Sequence, residues 1–167
     1  MTIIKKIFAT KLSIEKNFLV SNPIVEPELN ANVRMEVGIS NAIHMEYELF
    51  KNKYSLTDCV VGKIYFIRVL MKVKTIEIHF IKKEIFCGSK SESILISKFE
   101  IVDGCPADGD IVPIRMLLNG FALSPTYKEL NNVISIRYFL KFVIIDEEDK
   151  SFYKQQEISL WRKSHCN

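Results

Sequence analysis

Residues 133–145 read VISIRYFLKFVII and form the most regular pattern in the chain. Polar side chains, including Arg137 and Lys141, lie between apolar residues at the even-numbered positions. The apolar positions are Ile134, Ile136, Tyr138, Leu140, Phe142 and Ile144. This two-residue period is that of a β-strand with one buried face, so the stretch predicts a long strand in a sheet whose other face meets solvent.

The same period recurs upstream of this stretch. Residues 43–49 alternate around His44 and residues 76–80 around His79, which places both histidines on the solvent face of a strand. Other apolar runs predict strands at 33–39, 60–73, 94–101, 112–118 and 152–161. Turn signals rich in glycine, proline and aspartate separate the runs, so the chain is predicted to be all-β, a single immunoglobulin-like antiparallel β-sandwich. One segment, 125–130, instead predicts a short helix.

Length and composition fit one domain of this kind. The chain has 167 residues, of which 48% are hydrophobic and 26% charged, enough to bury a core without a membrane span. Its 23 lysines and arginines against 20 acids leave a net charge of only +3, and the positive charges do not cluster in sequence. We therefore expect no nucleic-acid partner. The N-terminus lacks the apolar core of a signal peptide, which favours a cytoplasmic protein.

The expected domain organisation has three parts. Residues 1–32 are an N-terminal segment and linker, with Pro23 and Pro27 among acids and asparagines. Residues 33–163 form the sandwich, and Trp161 is expected to be buried where the last strand closes the core. Residues 164–167 are expected to be a disordered tail.

The sequence contains no motif typical of catalysis, of cofactor binding or of metal binding. There is no GxSxG, GxGxxG or phosphate-loop pattern, and Asp103, Asp108 and Asp110 lack the spacing of a calcium loop. The four cysteines include no CxxC pair and are expected to be free thiols. The sequence therefore predicts no enzyme, no cofactor and no bound metal. A hydrolase assembled from a distant thiol or carboxylate remains the enzyme-class rival.

Several phrases resemble one protein family. They are VGKIYF at 61–66, IVDGCPADGD at 101–110, PIR at 113–115, LSPTYKELNN at 123–132 and DEEDKSFYKQQEISLWRK at 146–163. Together they are similar to the carboxyl-terminal lobe of the vacuolar protein sorting-associated protein 26 family, the arrestin-like subunit of retromer. The resemblance implies an arrestin-like sandwich that is not an enzyme. It also implies a cytoplasmic protein, peripheral on endosome membranes, that binds membranes only indirectly through a coat recycling cargo by retrograde transport.

The resemblance also assigns residues to partners. In the family, the loop matching residues 101–111 binds the α-solenoid subunit of retromer, of the vacuolar protein sorting 35 type. Those residues are Ile101, Val102, Asp103, Gly104, Cys105, Pro106, Ala107, Asp108, Gly109, Asp110 and Ile111. Val102 replaces the family's usual methionine, and Asp108 stands where a basic residue is common. Val37 and Tyr153 match positions that face a sorting nexin and a cargo tail peptide.

Two interpretations of the loop follow from its residues. Ile101 and Val102 are apolar and precede a Gly-Pro turn, so they are equally compatible with anchors for a partner and with ordinary core residues. The alternative to a retromer-type adaptor is a β-sandwich interaction module that has diverged and binds another partner through an edge strand or a loop. Asp108 is the residue that favours this alternative.

Overall fold

The computed structural model describes residues 2–7, 10–18, 27, 30–39, 41–86, 91–130 and 134–163. Within these ranges the chain forms strands and no helix. The strands are β1 (Thr2–Ile7), β2 (Thr10–Glu15), β3 (Val33–Ile39), β4 (Ile43–Leu49), β5 (Lys53–Ser55), β6 (Cys59–Val69), β7 (Val73–Phe86), β8 (Glu92–Asp103), β9 (Ile111–Leu117), β10 (Tyr127–Leu130), β11 (Ile134–Asp146) and β12 (Ser151–Trp161).

These strands form two main sheets and a hairpin. The smaller sheet has the order β3-β4-β6-β9, and the larger has the order β5-β12-β11-β7-β8 with β10 also paired to β11. Among the described strands, β1 and β2 pair only with each other. Neighbouring strands are antiparallel except β5, which runs parallel to β12. The predicted all-β sandwich is confirmed, with this one parallel pair as a local departure.

The core lies between the two sheets and follows the alternation of β11. Tyr138, Leu140, Phe142 and Ile144 are all at most 1% exposed, as their even-numbered spacing predicts. Phe142 stacks on Tyr47 of β4 across the sandwich, with ring centroids 3.9 Å apart. Burial in this layer raises the pKa of the Tyr47 hydroxyl, because the charged form is poorly solvated there. The two sheets therefore share one continuous apolar layer.

The run at 60–73, predicted as one strand, is two strands. The β6 strand ends at Val69 and β7 begins at Val73. Between them the N–H groups of Leu70 and Met71 both donate to the carbonyl of Ala42, at 2.8 and 3.0 Å. These backbone bonds turn the chain from the smaller sheet into the larger one, a crossing that the uniform apolar composition of the run does not reveal.

The short helix predicted at 125–130 is wrong. Residues 127–130 form β10, in which Tyr127 pairs with Ile136 of β11. Just before it, Thr126 exchanges two hydrogen bonds with Leu160: its N–H donates to the Leu160 carbonyl, and its Oγ1 accepts from the Leu160 N–H, both at 2.8 Å. Tertiary hydrogen bonds to β11 and β12 outweigh the local preference for a helix.

Other expectations can be compared residue by residue. Trp161 is 7% exposed, which confirms that it is buried. Cys59 and Cys105 are free thiols, as expected, whereas Cys87 and Cys166 lie outside the described residues. The first strand of the two main sheets is β3, and the division of the chain into three parts stays a prediction. Residues 164–167, expected to be a disordered tail, also lie outside the described residues.

Four connections meet at one end of the sandwich: β3–β4, β6–β7, β8–β9 and β11–β12. Backbone hydrogen bonds link the β6–β7 connection and the start of β7 to the other three connections. Beyond the bonds to Ala42, the Gly104 N–H donates to the Lys74 carbonyl at 2.8 Å, and the Glu147 N–H donates to the Lys72 carbonyl at 3.3 Å. The β8–β9 connection, at 104–110, is therefore held against its neighbours by main-chain groups.

Replacing Phe142 with alanine tests the shared core. We expect the free energy of unfolding to fall by about 3 to 5 kcal/mol, because a buried ring and its stacking contact with Tyr47 are lost. The measurement is urea unfolding, in which the dependence of the unfolding free energy on urea concentration should stay unchanged. The matched control is Phe50→Ala, since Phe50 is 44% exposed and its loss should cost under about 0.5 kcal/mol. Equal destabilisation by the two variants would contradict the assigned core.

Candidate functional site

The residues assigned to a partner loop lie together at the end of the sandwich described above. Ile101, Val102 and Asp103 end β8, residues 104–110 form the loop, and Ile111 begins β9. Gly104 and Gly109 have φ angles of 84° and 88°, in the left-handed region that glycine adopts without strain. The positive φ angles let the backbone turn at the first residue of the loop and again near its end.

The loop is anchored to β6 by hydrogen bonds at its tip. Asp108 Oδ1 accepts a hydrogen bond from the Val69 N–H at 2.6 Å, and the Gly109 N–H donates to the Phe66 carbonyl at 2.6 Å. Asp110 Oδ2 accepts from the Ala107 N–H at 2.8 Å, which closes the turn internally. Two of the loop's carboxylates therefore organise its backbone, a role that the sequence did not indicate.

Ile101 and Val102 are half-buried and pack against the core. The pairing explains why two consecutive strand residues do so: Val102 faces Ile76 and Glu100 faces Glu77, so Ile101 is the extra residue of a β-bulge. A bulge turns neighbouring side chains toward the same side of the strand. Each side chain thus contacts the core and keeps some exposed surface, and the role of the pair as partner anchors stays a prediction.

Three other aliphatic residues near the loop are more exposed. Ile111 is 56%, Ile67 is 47% and Leu70 is 60% exposed. Ile111 pairs with Tyr65, so Ile67 lies one outward position further along β6 on the same face. Sequence reasoning missed Ile67 and Leu70, although an apolar residue at an outward position of an alternating strand was the available signal.

The loop at 101–111 carries a net negative charge. Asp103, Asp108 and Asp110 are exposed, and no lysine or arginine occurs between residues 101 and 111. Two lysines on the neighbouring β6–β7 segment are paired with acids of the β11–β12 turn: Lys72 with Glu147, and Lys74 with Asp149. The loop therefore offers acidic groups beside exposed aliphatic ones.

Val37 and Tyr153 line one groove of about 370 Å³ between β3 and the start of β12. The groove is formed by Glu36, Val37, Gly38, Ile39, Ser151, Phe152, Tyr153 and Lys154. Val37 is 9% exposed and belongs mainly to the core, whereas Tyr153 is 63% exposed. The β3 strand is an edge of the smaller sheet, where unpaired backbone groups can accept an added strand.

The described part of the chain was also compared with two features of enzymes, a metal site and a reactive thiol. There it contains no group of three or more His, Cys, Asp and Glu side chains able to hold a metal ion. The thiols of Cys59 and Cys105 hydrogen-bond backbone carbonyls, of Val60 for the first and of Met71 and Pro106 for the second. Among the described residues, none belongs to a helix long and apolar enough to span a membrane.

The fold defines the class of protein first. The crystal structure of Spo0M, a sporulation control protein from Bacillus subtilis, superposes with a TM-score of 0.57 and 12% identity. The match covers 74% of this chain and 50% of Spo0M, and it shows the fold alone: an arrestin-like β-sandwich.

The sequence profile of the vacuolar protein sorting-associated protein 26 family matches residues 1–149. Relatives with that name are 43% identical in Plasmodium falciparum, over 93% of this chain and 54% of the relative, and 45% identical in Dictyostelium discoideum, over 93% and 46%. The 26B protein of Danio rerio is 44% identical over 91% of this chain and 47% of its own length. The chain therefore belongs to this family, and it spans about half the length of these relatives.

Replacing Asp108 with alanine tests the anchoring of the loop. The Val69 N–H loses its acceptor, so we expect its hydrogen exchange to accelerate by roughly tenfold, the equivalent of about 1.4 kcal/mol of local opening free energy. Asp108→Asn is the matched control, because the amide keeps an acceptor oxygen but removes the charge. Amide exchange followed by NMR is the measurement. Unchanged protection of Val69 in the alanine variant would show that the bond does not hold the loop.

Proposed function

We propose that this chain is a non-enzymatic adaptor in vacuolar protein sorting and contributes a β-sandwich lobe to a retromer-type endosomal coat. Membership of the family supports the sorting role. The single observation that carries the proposal is the anchored loop at 101–111, a rigid surface with no catalytic arrangement beside it in the described residues. In this role the chain is cytoplasmic and peripheral on endosome membranes. It contacts the membrane only indirectly, through the coat, during retrograde transport.

The loop is proposed to bind the α-solenoid subunit of the coat, of the vacuolar protein sorting 35 type. Its tip is tied to β6 through Asp108 and Gly109, so little conformational entropy remains to be lost when a partner binds. Ile111 and the exposed parts of Ile101 and Val102 supply apolar contacts of a size that fits between two helices.

The charge of the loop indicates the partner surface that it fits. Asp103 and Asp110 flank the apolar residues and are exposed. A groove between solenoid helices would complement them with lysine or arginine around an apolar centre, which accelerates association at low salt. Asp108 accepts a hydrogen bond from the Val69 N–H of β6. An aspartate in place of the family's usual basic residue therefore changes both the charge and the anchoring of the loop.

Binding to a purified solenoid subunit tests this proposal through Ile111→Asp. Ile111 is exposed, so the substitution should leave the fold intact, whereas a carboxylate placed in the interface should weaken binding by about 10- to 30-fold. Leu117→Asp is the matched control, because Leu117 is 61% exposed on the same face of β9, about 20 Å away. Calorimetry of the full chain is the measurement.

Two outcomes would contradict the solenoid assignment. Equal affinities of the two variants would place the contact elsewhere on the lobe. No binding by the folded, unsubstituted chain would favour the alternative function, an interaction module that has diverged from retromer. Asp108 is the specific observation behind that alternative, because it reverses the usual charge at the tip of the loop.

The groove between β3 and β12 is proposed to receive a sorting nexin and a cargo tail peptide. An extended peptide can add to the free edge of β3 through main-chain hydrogen bonds, while Tyr153 offers an exposed aromatic face beside it. Gly38 leaves open space in the same groove, where an added side chain would meet no atom within 4 Å. A peptide side chain therefore has room to lie against the strand.

Tyr153→Ala tests the groove. We expect the affinity for a sorting nexin presented with a cargo tail peptide to fall about 5- to 30-fold, because an aromatic contact worth roughly 1 to 2 kcal/mol is removed. Stability should change by under about 0.5 kcal/mol, since the ring is exposed. Phe50→Ala, an exposed aromatic outside the groove, should leave affinity unchanged. A loss of the same size in both variants would exclude the groove as the site.

A further inference from the structure

The outer face of the larger sheet carries an apolar row that neither the loop nor the groove uses. Because the even-numbered residues of β11 face the core, its odd-numbered residues lie on the outer face, where Phe139 and Lys141 are half-buried and Val143 is 4% exposed. Phe139 of β11 pairs with Ile81 of β7, and Ile81 pairs with Leu95 of β8, so the three side chains lie side by side across three strands. Leu95 is 53% exposed, whereas Ile81 and Phe139 are half-buried, and the cationic groups of Lys83 and Arg137 lie over the Phe139 ring. The row is about 10 Å long at the usual strand spacing.

Cations border this row on both sides. Lys141 lies two residues from Phe139 in one direction along β11, and Arg137 lies two residues away in the other, paired with Lys83 of β7. Each flank is thus about 7 Å from the apolar row. The Lys83 ammonium group lies 5.0 Å from the ring centroid of Phe139, and the Lys141 ammonium group lies 3.9 Å from the ring centroid of Tyr153. These cation–π contacts orient both lysines before any partner binds.

Acids already present neutralise some neighbouring cations but not these lysines. Arg137 pairs with Glu157, and Lys98 pairs with the buried Glu77, which also contacts His79. Burial opposes ionisation of Glu77, but Lys98 and His79 more than offset it, so the pKa of Glu77 lies below its ordinary value. Within the described ranges, no carboxylate forms a salt bridge with Lys83 or Lys141.

We propose that an outer-face patch, formed by Ile81, Lys83, Leu95, Phe139 and Lys141, docks an acidic amphipathic helix of a partner protein. A helix lying along the apolar row is about 10 to 12 Å wide with its side chains. Its apolar stripe would cover Leu95, Ile81 and Phe139, and acidic residues on its two flanks would reach Lys141 on one side and Lys83 on the other. The charges and the spacing are complementary to that ligand.

A protein helix fits the patch better than an anionic bilayer does. Leu95 is exposed, whereas Ile81 and Phe139 are half-buried and the Lys83 ammonium group lies over the Phe139 ring, so Leu95 is the one patch side chain free to insert into a bilayer. The rest of the apolar row would then stay at the level of the lipid phosphates, without entering the hydrocarbon. A helix with a raised apolar stripe can reach down between the lysines.

The test titrates the isotope-labelled full chain with a synthetic helix that carries a leucine stripe flanked by glutamates. We expect saturable amide shifts centred on β7, β8 and β11 around the five patch residues. The same peptide with glutamine for every glutamate should bind about tenfold more weakly, since two charge pairs are lost. Raising the salt concentration should weaken only the acidic peptide.

Variants connect the binding to the patch. Lys83→Gln combined with Lys141→Gln should weaken the acidic peptide about tenfold and leave the glutamine peptide unchanged. The matched control is Lys63→Gln, on the exposed face of the smaller sheet, which should have no effect. Thermal unfolding of each variant confirms that it is folded, and Leu95→Ser supplies an independent test of the apolar row without altering charge.

Three results would overturn the proposal. They are the absence of saturable shifts, shifts centred on another surface, and equal binding of the acidic and glutamine peptides. Vesicles of phosphatidylserine and phosphatidylcholine form the comparison arm. Sedimentation with them that depends on Lys83 and Lys141, without peptide binding, would assign the patch to a membrane instead.

Discussion

The alternation along β11 is the constraint on which the rest of the structure depends. This strand lies in the interior of the larger sheet and pairs with β7 from Ile134↔Phe86 to Asp146↔Val73, and with β12 on its other side. A shift of one residue would move Phe142 from the core to solvent and bring Lys141 into the apolar layer. The desolvation of that ammonium group makes the register unique, and the faces of β7 and β12 follow from it.

The same register determines how the end of the sandwich is built. Because the start of β7 lies beside the end of β11, the β6–β7 and β11–β12 connections meet there, and the Lys72 carbonyl can accept from the Glu147 N–H. The β8–β9 loop closes onto this platform through Gly104 and reaches β6 through Asp108. The shape of the loop thus follows from hydrogen bonds between four connections that are far apart in sequence.

Local pattern predicted the strands well where one face is buried. The bounds of β3 and β4 agree with the alternating runs at 33–39 and 43–49, because periodicity reflects burial directly. It failed where partners distant in sequence decide. Thr126 bonds Leu160, which turns an expected helix into a strand, and Asp108 bonds Val69, which no neighbour in sequence suggests. The resemblance to a family located the loop but carried no information on these contacts.

The proposed surfaces differ in the sign of their charge, and this difference separates their partners. The loop presents aspartates whose carboxylates partly hold its own backbone, whereas the outer face presents lysines held over aromatic rings. A basic groove is attracted to the first and repelled by the second, and an acidic helix has the opposite preference. Like-charge repulsion therefore discourages either partner from occupying the other's site. Because the residues of the two surfaces lie on different faces, a single lobe of this size has room to hold both partners together.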